Sequence, residues 1–516
     1  MPAEETVTLK SFAGGQRDRD HASEIFDDQY AYGKNIENRS GGLYDTRRGR
    51  TKKVNSPGAT PQGACWFQPS PSSFFIIEVN GGRIFKWEGS AANFTEIDPS
   101  VQLVNTTNPV GFGVLNGKLG IFAGPDDNVR SWDGAAATLT DEANTNTDPP
   151  RVTIACNQSG KLIVGKTDTA GTNDFLYPCS PNDLTTWDRS SSNVRIPSEG
   201  NEGVTALGMY LDAAILAFTR RTAHMITVSE TSTASWTRTT LQTKIGSVAP
   251  WVSVVGTEAY FMSQDGHIRS IRRTEQGESQ AVITPISYWN PNLLGRIKRT
   301  KLSKSRGVWF DNYLLVGACL DNSDTNNGVI VFDTQNQIAS PSGPVPVCLG
   351  EWTNMRPGEW IETFFNNRQQ LYYMDALDGS LYLMFDGEDD DGATIVSEVR
   401  MKALDFGTQR NDKTMLHGEV MVLDTYGTIT IDYAKDNASF NQINQTAVGS
   451  AGGAVLPFVL PVTLGSGGVL DFIPISFFGA GQSRFWQPKV VHQDGVLSLK
   501  QLSFTAQIEA ALTSGI

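Results

Sequence analysis

The segment GKLIVGKT at 160–167 has the residue types and spacing of a phosphate-binding loop. That motif holds phosphates with free backbone amides that lead into a helix, and its lysine contacts the phosphates directly. Here the residues between the glycines, Lys-Leu-Ile-Val, favour a strand, and Gly171, Pro178 and Pro181 follow where the helix should run. The sequence therefore predicts a β-hairpin, with CNQSGK as its turn, and no nucleotide site.

The segment FDGEDDDG at 385–392 has clustered carboxylates, which are the hard oxygen ligands that calcium prefers. It departs from the EF-hand pattern at the glycine and at the final bidentate glutamate. We interpret it as an exposed acidic turn between two domains, with calcium binding as the weaker alternative.

The segment SPNDLTTW at 180–187 partly resembles the Asp-box turn of sialidases, although Asn182 and Leu184 replace the usual Asp and Gly. A sialidase would also need several arginines around a carboxylate and a nucleophilic tyrosine. Arg220 and Arg221 are candidates for such arginines, but a solvated strand end is the better interpretation of them. The five histidines lie far apart, and no H-E-x-x-H, C-x-x-C or G-x-S-x-G motif is present. We predict no catalytic residues, no cofactor and no metal, and hence no enzyme.

The segment RRGRTKK at 47–53 is taken as the only basic cluster of the chain. Its cations can bind phosphate or an acidic protein surface, or they can keep a loop solvated. Within the functional alternative, we predict that they dock a protein partner. The candidate docking residues are Arg47, Arg48, Arg50, Lys52 and Lys53.

The elements that would position these residues are short strands, several of which end in an aromatic residue followed by an acid. Trp87, Trp132, Trp187 and Trp236 are 45, 55 and 49 residues apart, close to the repeat length of propeller blades. An aromatic at such a place would be buried between neighbouring blades, and the following Asp-Gly or Glu-Gly would form a tight turn. The candidate blades are 62–100, 106–146, 151–199, 202–243, 248–290 and 302–386, the last long enough for an insertion or a seventh blade.

We therefore predict an all-β fold: a β-propeller of about six blades, with an extended N-terminal arm and a C-terminal β-sandwich. The arm is expected to contain a short helix from about Ala22 to Tyr30, with Asp20 as its cap. After about 393, longer alternating strands predict the separate sandwich. The predicted domains are 1–55 for the arm, 56–392 for the propeller and 393–516 for the sandwich, whose Gly-rich loops are 447–457 and 464–469.

Composition narrows the function further. The net charge of −13 argues against tight binding of nucleic acid, which depends on lysine and arginine, but not against DNA passing nearby. Five cysteines far apart in sequence indicate reduced, mostly buried thiols. The acidic, polar N-terminus and the lack of a long apolar run predict a protein made in a cytoplasm without membrane insertion.

Three stretches carry a family resemblance: the N-terminal SFAGGQRDRD and NIENRSGGLYDTRRGRTKKV, residues 202–271, and VRMKALDFGTQRNDKTMLHGEVMVL from 399. They resemble the tail nozzle, or packaged-DNA stabilisation, proteins of short-tailed bacteriophages. The matching motifs are Gly203–Leu207, Gly246–Pro250 and Ser263–Gly266, with Ser247 where a cysteine is frequent.

This resemblance implies a structural virion protein that forms a ring, usually a hexamer, below the portal and adaptor proteins of a phage tail. Such a ring would extend and gate the DNA exit channel, dock tail fibres or spikes, and let genomic DNA pass without sequence-specific binding. The protein would be assembled in the bacterial cytoplasm and reside in the virion. Two alternatives stay open: a sialidase-like propeller that degrades or binds glycans, and a generic propeller scaffold for protein interactions.

Overall fold

The architecture is all-β, as expected, and it is built around a propeller. Within the described part of the chain, no helix has the length and apolar character needed to span a membrane. The computed structural model describes residues 3–39, 44–58, 60–143, 147–165, 173–198, 200, 202–229, 232–273, 279–281, 284–365, 368–425, 427–436, 440–449, 471–477 and 481–509.

The described residues among the first 55 form six strands that are distributed over three sheets, instead of the predicted arm. The predicted helix at 22–30 is also wrong, because these residues form turns that lead directly into a strand. The elements are β1 Ala3–Lys10, a 3₁₀ turn Phe12–Gly14, β2 Gly15–Gln16, β3 Gln29–Lys34, β4 Ile36–Glu37, β5 Tyr44–Thr46 and β6 Arg50–Val54.

Blades 1 to 5 follow in chain order, each an antiparallel sheet in which some of the neighbouring strands are joined by tight turns. Asn116 and Gly117 form one such turn, both with the positive φ (49° and 73°) that two-residue hairpins need. Blade 1 comprises β7 Pro61–Ser70, β8 Ser73–Asn80, β9 Arg83–Trp87 and β10 Thr95–Glu96, and blade 2 comprises β11 Gly111–Leu115, β12 Lys118–Phe122, β13 Arg130–Trp132 and β14 Thr140–Asp141.

Blades 3 to 5 repeat this plan, with one additional short strand in blade 3 and a 3₁₀ turn at Thr233–Ser235 in blade 4. Their strands are β15 Ile154–Gln158, β16 Lys161–Gly165, β17 Phe175–Ser180, β18 Asp183–Trp187 and β19 Val194–Arg195; β20 Ala206–Tyr210, β21 Ala214–Phe218, β22 Ala223–Thr227 and β23 Thr237–Gln242; and β24 Ser253–Val255, β25 Glu258–Met262, β26 Ile268–Arg273 and β27 Ser279–Ala281.

The long span 302–386 contributes strands to two sheets, so it holds more than one blade. The first begins a ten-stranded sheet, here called the bridging sheet; the second is a blade completed by β6, here called the closing blade. The helix α1 Pro291–Gly295 and a 3₁₀ turn Arg299–Lys304 precede the first strand. The strands are β28 Arg306–Phe310, β29 Tyr313–Ala318, β30 Gly328–Ser340, β31 Gly343–Thr353, β32 Pro357–Phe365, β33 Arg368–Asp375 and β34 Leu381–Met384.

The first strands of these sheets lie side by side in a closed ring, in the order β7, β11, β15, β20, β24, β28 and β32, and then β7 again. In the described residues, six of the sheets are separate blades, in line with the predicted number, and the bridging sheet occupies the remaining place. The ring is closed by β6, which pairs antiparallel with β34 and so joins the N-terminal region to the last blade.

The aromatic residues that end the strands are buried between blades, as predicted. Trp132 of blade 2 lies 5.2 Å from Phe75 of blade 1, and Trp87 of blade 1 lies 5.8 Å from Tyr372 of the closing blade, measured between ring centroids. Both tryptophans are 3% exposed. Blades 1 and 2 therefore each bury a large aromatic side chain against the preceding blade, which is consistent with the recurrence of the motif.

The strands after 393 build two sheets that share one hydrophobic cluster. Neither sheet is separate from the propeller, because β35, β41, β37 and β38 extend the bridging sheet through β3, and β1, β4 and β5 belong to the other sheet. The Gly-rich segment 464–469 and residues 450–457 of the other one lie outside the described residues. The strands are β35 Ser397–Met401, β36 Lys413–Thr425, β37 Gly427–Lys435, β38 Asn441–Gly449, β39 Asp471–Ser476, β40 Gln482–Ser483, β41 Trp486–Gln493 and β42 Leu497–Ile508.

Candidate functional site

The basic segment at 47–53 is integrated into the propeller by a buried ion pair. Arg47 and Asp390 both have fully buried side chains. The two terminal nitrogens of Arg47 donate to the carboxylate of Asp390 at 2.9 and 2.6 Å. Its remaining donors bond Asn35, Arg48 and Thr353. Arg47 therefore stabilises the fold and has no surface to offer to a partner.

The other cations of this segment also have partners within the chain. Arg48 bonds the buried carboxylate of Glu37 at 3.1 Å. Arg50 lies 3.6 Å from Asp390 and packs over the ring of Tyr382. Lys53 bonds Asp386 at 2.7 Å, and the ammonium of Lys52 lies 5.5 Å from the centre of the Tyr382 ring.

These contacts limit the ways in which the basic segment could dock a partner. A carboxylate that neutralises a cation within the chain also reduces its attraction for an external anion. Docking through Lys52 and Lys53, which are partly exposed, stays a prediction. Docking through Arg47 would require the buried pair to be broken.

The acidic segment at 385–392 is the counterpart of this basic segment. Asp390 is buried, so the segment is more than an exposed turn, and Asp386 and Asp391 bond Lys53 and the backbone of Lys52. In the described part of the chain, no group of three or more His, Cys, Asp or Glu side chains could hold a metal ion. The two most strongly charged motifs of the sequence analysis therefore bind each other.

The phosphate-loop pattern forms a hairpin, as predicted. Ser159 and Gly160 occupy its turn with φ of 49° and 69°, and the next five residues are the strand β16. Because the backbone amides of a strand bond to neighbouring strands, they are not available as a phosphate cradle. Lys166 and Thr167, which complete the pattern, lie outside the described residues.

The segment SPNDLTTW forms an Asp-bonded turn within blade 3. One carboxylate oxygen of Asp183 accepts from the amide and hydroxyl of Thr185, at 2.9 and 2.8 Å, and the other accepts from the hydroxyl of Thr186. Trp187 then donates its indole N–H to the carbonyl of Leu184. The turn thus orients the tryptophan that packs between blades.

We expect Asp183→Ala to lower the free energy of unfolding by about 1 kcal/mol, because three partly exposed hydrogen bonds are lost and their donors can reach water. Urea denaturation followed by tryptophan fluorescence would measure this change. The matched control is Asp212→Ala, at an exposed position in blade 4, which should change the free energy by less than about 0.5 kcal/mol. Equal effects of the two substitutions would contradict the assigned role.

A cavity lies where the first strands of the ring begin, at one mouth of the propeller channel. It has a volume of about 570 Å³ and is lined mainly by hydroxyl, proline and small apolar side chains from all parts of the ring. Its charged lining residues are Lys304 and Arg306, and Arg306 is bonded to Glu359 at 2.9 Å. Leu377 lies on its rim and is 58% exposed.

The chemistry available at this channel mouth is binding. Among the described residues that line it, no carboxylate is present, so a pair of carboxylates spaced for glycoside hydrolysis is not located here. Hydroxyl groups and one exposed lysine can bind polar or anionic groups. A ligand here would contact several blades at once.

A second basic segment, RIKRTKLSKSR at 296–306, leads into this mouth and is not among the candidates from the sequence. It has six cations and no acid in eleven residues, so RRGRTKK is not the only basic cluster. This count was visible in the sequence, and it is a stronger signal than the segment at 47–53.

The five cysteines are free, as predicted, and Cys179, Cys319 and Cys348 are buried. Burial raises the pKa of Cys179 to about 11 and that of Cys156 to about 12. These thiols are therefore protonated at neutral pH and are poor nucleophiles.

Comparisons with known proteins identify no family and find distant structural likenesses. No family model and no curated protein matches the chain. Among solved structures, PorZ, a surface component of the type-IX secretion system of Porphyromonas gingivalis, is 13% identical with a TM-score of 0.40, and the match covers 67% of this chain and 38% of PorZ. The extracellular domain of BT4673 from B. thetaiotaomicron is 14% identical with a TM-score of 0.40, over 65% of this chain and 40% of that one. The computationally designed protein Ika8 is 11% identical with a TM-score of 0.33, over 65% of this chain and 99% of its own. The match thus covers less than half of the length of each of the two natural proteins. Likenesses of this degree imply nothing about the function of this chain.

Proposed function

We propose that the protein is a structural component of a larger assembly, and more specifically a ring-forming tail protein of the nozzle type in a short-tailed phage. The ring would extend and gate the DNA channel below a portal or adaptor and would dock fibres or spikes. The proposal is supported by the resemblance of residues 202–271 and of the N-terminal segments to that family.

The observation that favours this function is that carboxylates of the same chain neutralise most cations of the basic segment at 47–53. Arg47, Arg48, Arg50 and Lys53 are neutralised by carboxylates of the same molecule, and the whole chain has a net charge of −13. A conduit must let DNA slide, so a wall without free cations is preferable. Screening limits repulsion to about 8 Å at physiological salt, so only acids that face the channel matter.

We expect the purified full-length protein to form six-fold rings in negative-stain images when it is concentrated to about 100 µM, since weak interfaces fill at high concentration. Monomers at every concentration would contradict the ring. The channel of the ring should have a negative electrostatic map, and a neutral or positive map would contradict the proposed acidic wall.

A generic scaffold for protein interactions is the second candidate, favoured by the open cavity at the channel mouth. Such a scaffold would remain monomeric in the same images while still binding a partner. The glycan-binding alternative predicts that sugars, and not acidic polypeptides, occupy that cavity.

A further inference from the structure

We propose that the three lysines beside the channel mouth form a docking surface for an acidic, partly apolar polypeptide segment of a partner protein. The surface comprises Lys298, Lys301 and Lys304, together with the cavity and its rim residue Leu377, and is here called the lysine patch. The inference goes beyond the proposed function, because it does not depend on ring formation or on a phage tail.

The two arginines at the ends of the segment 296–306 form ion pairs with carboxylates other than Asp324. Arg296 bonds Asp321 and Glu351 at 2.6 and 2.8 Å, and Arg306 bonds Glu359. These two arginines anchor the ends of the segment. The lysines between them lie on the surface.

Among the described residues, two of the three lysines share one carboxylate, and the third bonds the backbone of the same residue. Lys298 lies 2.7 Å and Lys301 3.5 Å from Asp324, whose side chain is 68% exposed, and Lys304 bonds the backbone carbonyl of the same residue. One carboxylate for three ammonium groups leaves an excess of two positive charges. Holding like charges close together has a cost that an incoming anion removes.

Within the lysine patch, the group of three lysines adjoins the cavity. Lys304 lines the cavity, as do Thr325 and Asn326, which directly follow Asp324. Leu377, from the closing blade, lies on the same rim and has an exposed apolar side chain. An occupant with a carboxylate and a nearby apolar side chain would use both features.

A short acidic segment suits this surface better than DNA. A long polyanion would extend from the patch over the rest of a chain with a net charge of −13, whereas a short segment stays within the patch. DNA would also leave the cavity and Leu377 without a contact, because phosphate recognition uses only the lysines.

The test is fluorescence anisotropy of the full-length protein with two labelled probes, a twelve-residue peptide of alternating glutamate and leucine and a single-stranded DNA oligonucleotide of the same length. We expect the peptide to bind with micromolar affinity and the DNA to bind more weakly. Combined Lys298→Gln, Lys301→Gln and Lys304→Gln should weaken peptide binding by about tenfold, the value expected for the loss of two or three exposed charge pairs. The single substitution Leu377→Asp, made without the lysine substitutions, should also weaken peptide binding.

The matched control combines Lys118→Gln, Lys244→Gln and Lys500→Gln, three exposed lysines in other parts of the chain. It removes the same charge and should leave peptide binding unchanged. Equal weakening in both variants, tighter binding of the DNA, or no peptide binding at about 100 µM in low salt would each overturn the proposal. Thermal unfolding of each variant verifies that it is folded, and glutamine at exposed positions should preserve the fold.

Discussion

Replacement of Asp390 by alanine is expected to lower the free energy of unfolding by roughly 3–5 kcal/mol, because it leaves the charge of Arg47 buried without a counterion. Both side chains are fully buried, and their two hydrogen bonds are 2.9 and 2.6 Å long. Arg47 lies just before β6, the strand that closes the ring. Loss of the pair should therefore loosen the closing blade in particular.

Urea denaturation would measure this loss, and hydrogen exchange of residues 50–54 and 381–384 would locate it. The control is Asp386→Ala, which removes the partner of Lys53 in a pair whose side chains are 30% and 41% exposed. Exposed pairs contribute at most about 1 kcal/mol, so this control should be nearly neutral. Similar effects of the two substitutions would show that the buried pair has no special role in closure.

The propeller was predictable because its signals are local. A strand of alternating residues, a tight turn and a terminal aromatic such as Trp132 lie within one short segment, and each blade needs the same solution. The burial of Trp87 and Trp132 between blades is therefore predictable. The hairpin at Gly160 is predictable for the same reason, whereas the free cysteines follow from their odd number and wide separation in sequence.

The N-terminal region could not be placed in this way because its strands pair with distant partners. Gln29–Lys34 lies between β31 and β35, more than 300 residues away in sequence. A helix was predicted at 22–30 from a cap and local propensity, which tertiary pairing overrides. The strand β6, with the sequence RTKKV, has no local pattern of a buried strand. The opposite charges of the segments 47–53 and 385–392 could nevertheless have suggested that the two segments pair.

Some features of the candidate site are visible in the sequence, and others depend on the fold. A count of charges could have found the lysines at 298, 301 and 304, but not their position beside the channel mouth. That position depends on the closed ring, which brings Lys304 and Leu377 to one cavity from different sheets. Sequence therefore reveals which groups are charged, and the fold decides which of them remain available for binding.

A second large effect is expected for Glu78, a buried carboxyl between blade 1 and the closing blade. Its side chain is inaccessible to solvent, and a turn of the closing blade covers it so closely that a Cβ at Gly379 would collide with it. The amide of Asn80 donates to one of its oxygens at 2.8 Å. Within the described residues, the second oxygen has no hydrogen-bond partner.

Burial raises the pKa of Glu78 well above its usual range, and the nearby charge of Asp378 raises it further, against the opposing bond from Asn80. The folded protein therefore keeps a proton that the unfolded chain releases near pH 4.5. Between that pH and the raised pKa, the folded state binds more protons than the unfolded state. Stability should fall there as pH rises, by up to about 1.4 kcal/mol per unit.

Glu78→Gln should abolish this part of the pH dependence, because glutamine keeps the shape of the protonated acid and never ionises. We expect the variant to match the native protein near pH 4 and to become progressively more stable than it as the pH rises above 4.5. Urea denaturation at each pH would measure the difference, with Glu88→Gln, whose side chain is 55% exposed, as the control. Parallel pH profiles for the native protein and Glu78→Gln would mean that Glu78 ionises freely and that this junction between blades admits water.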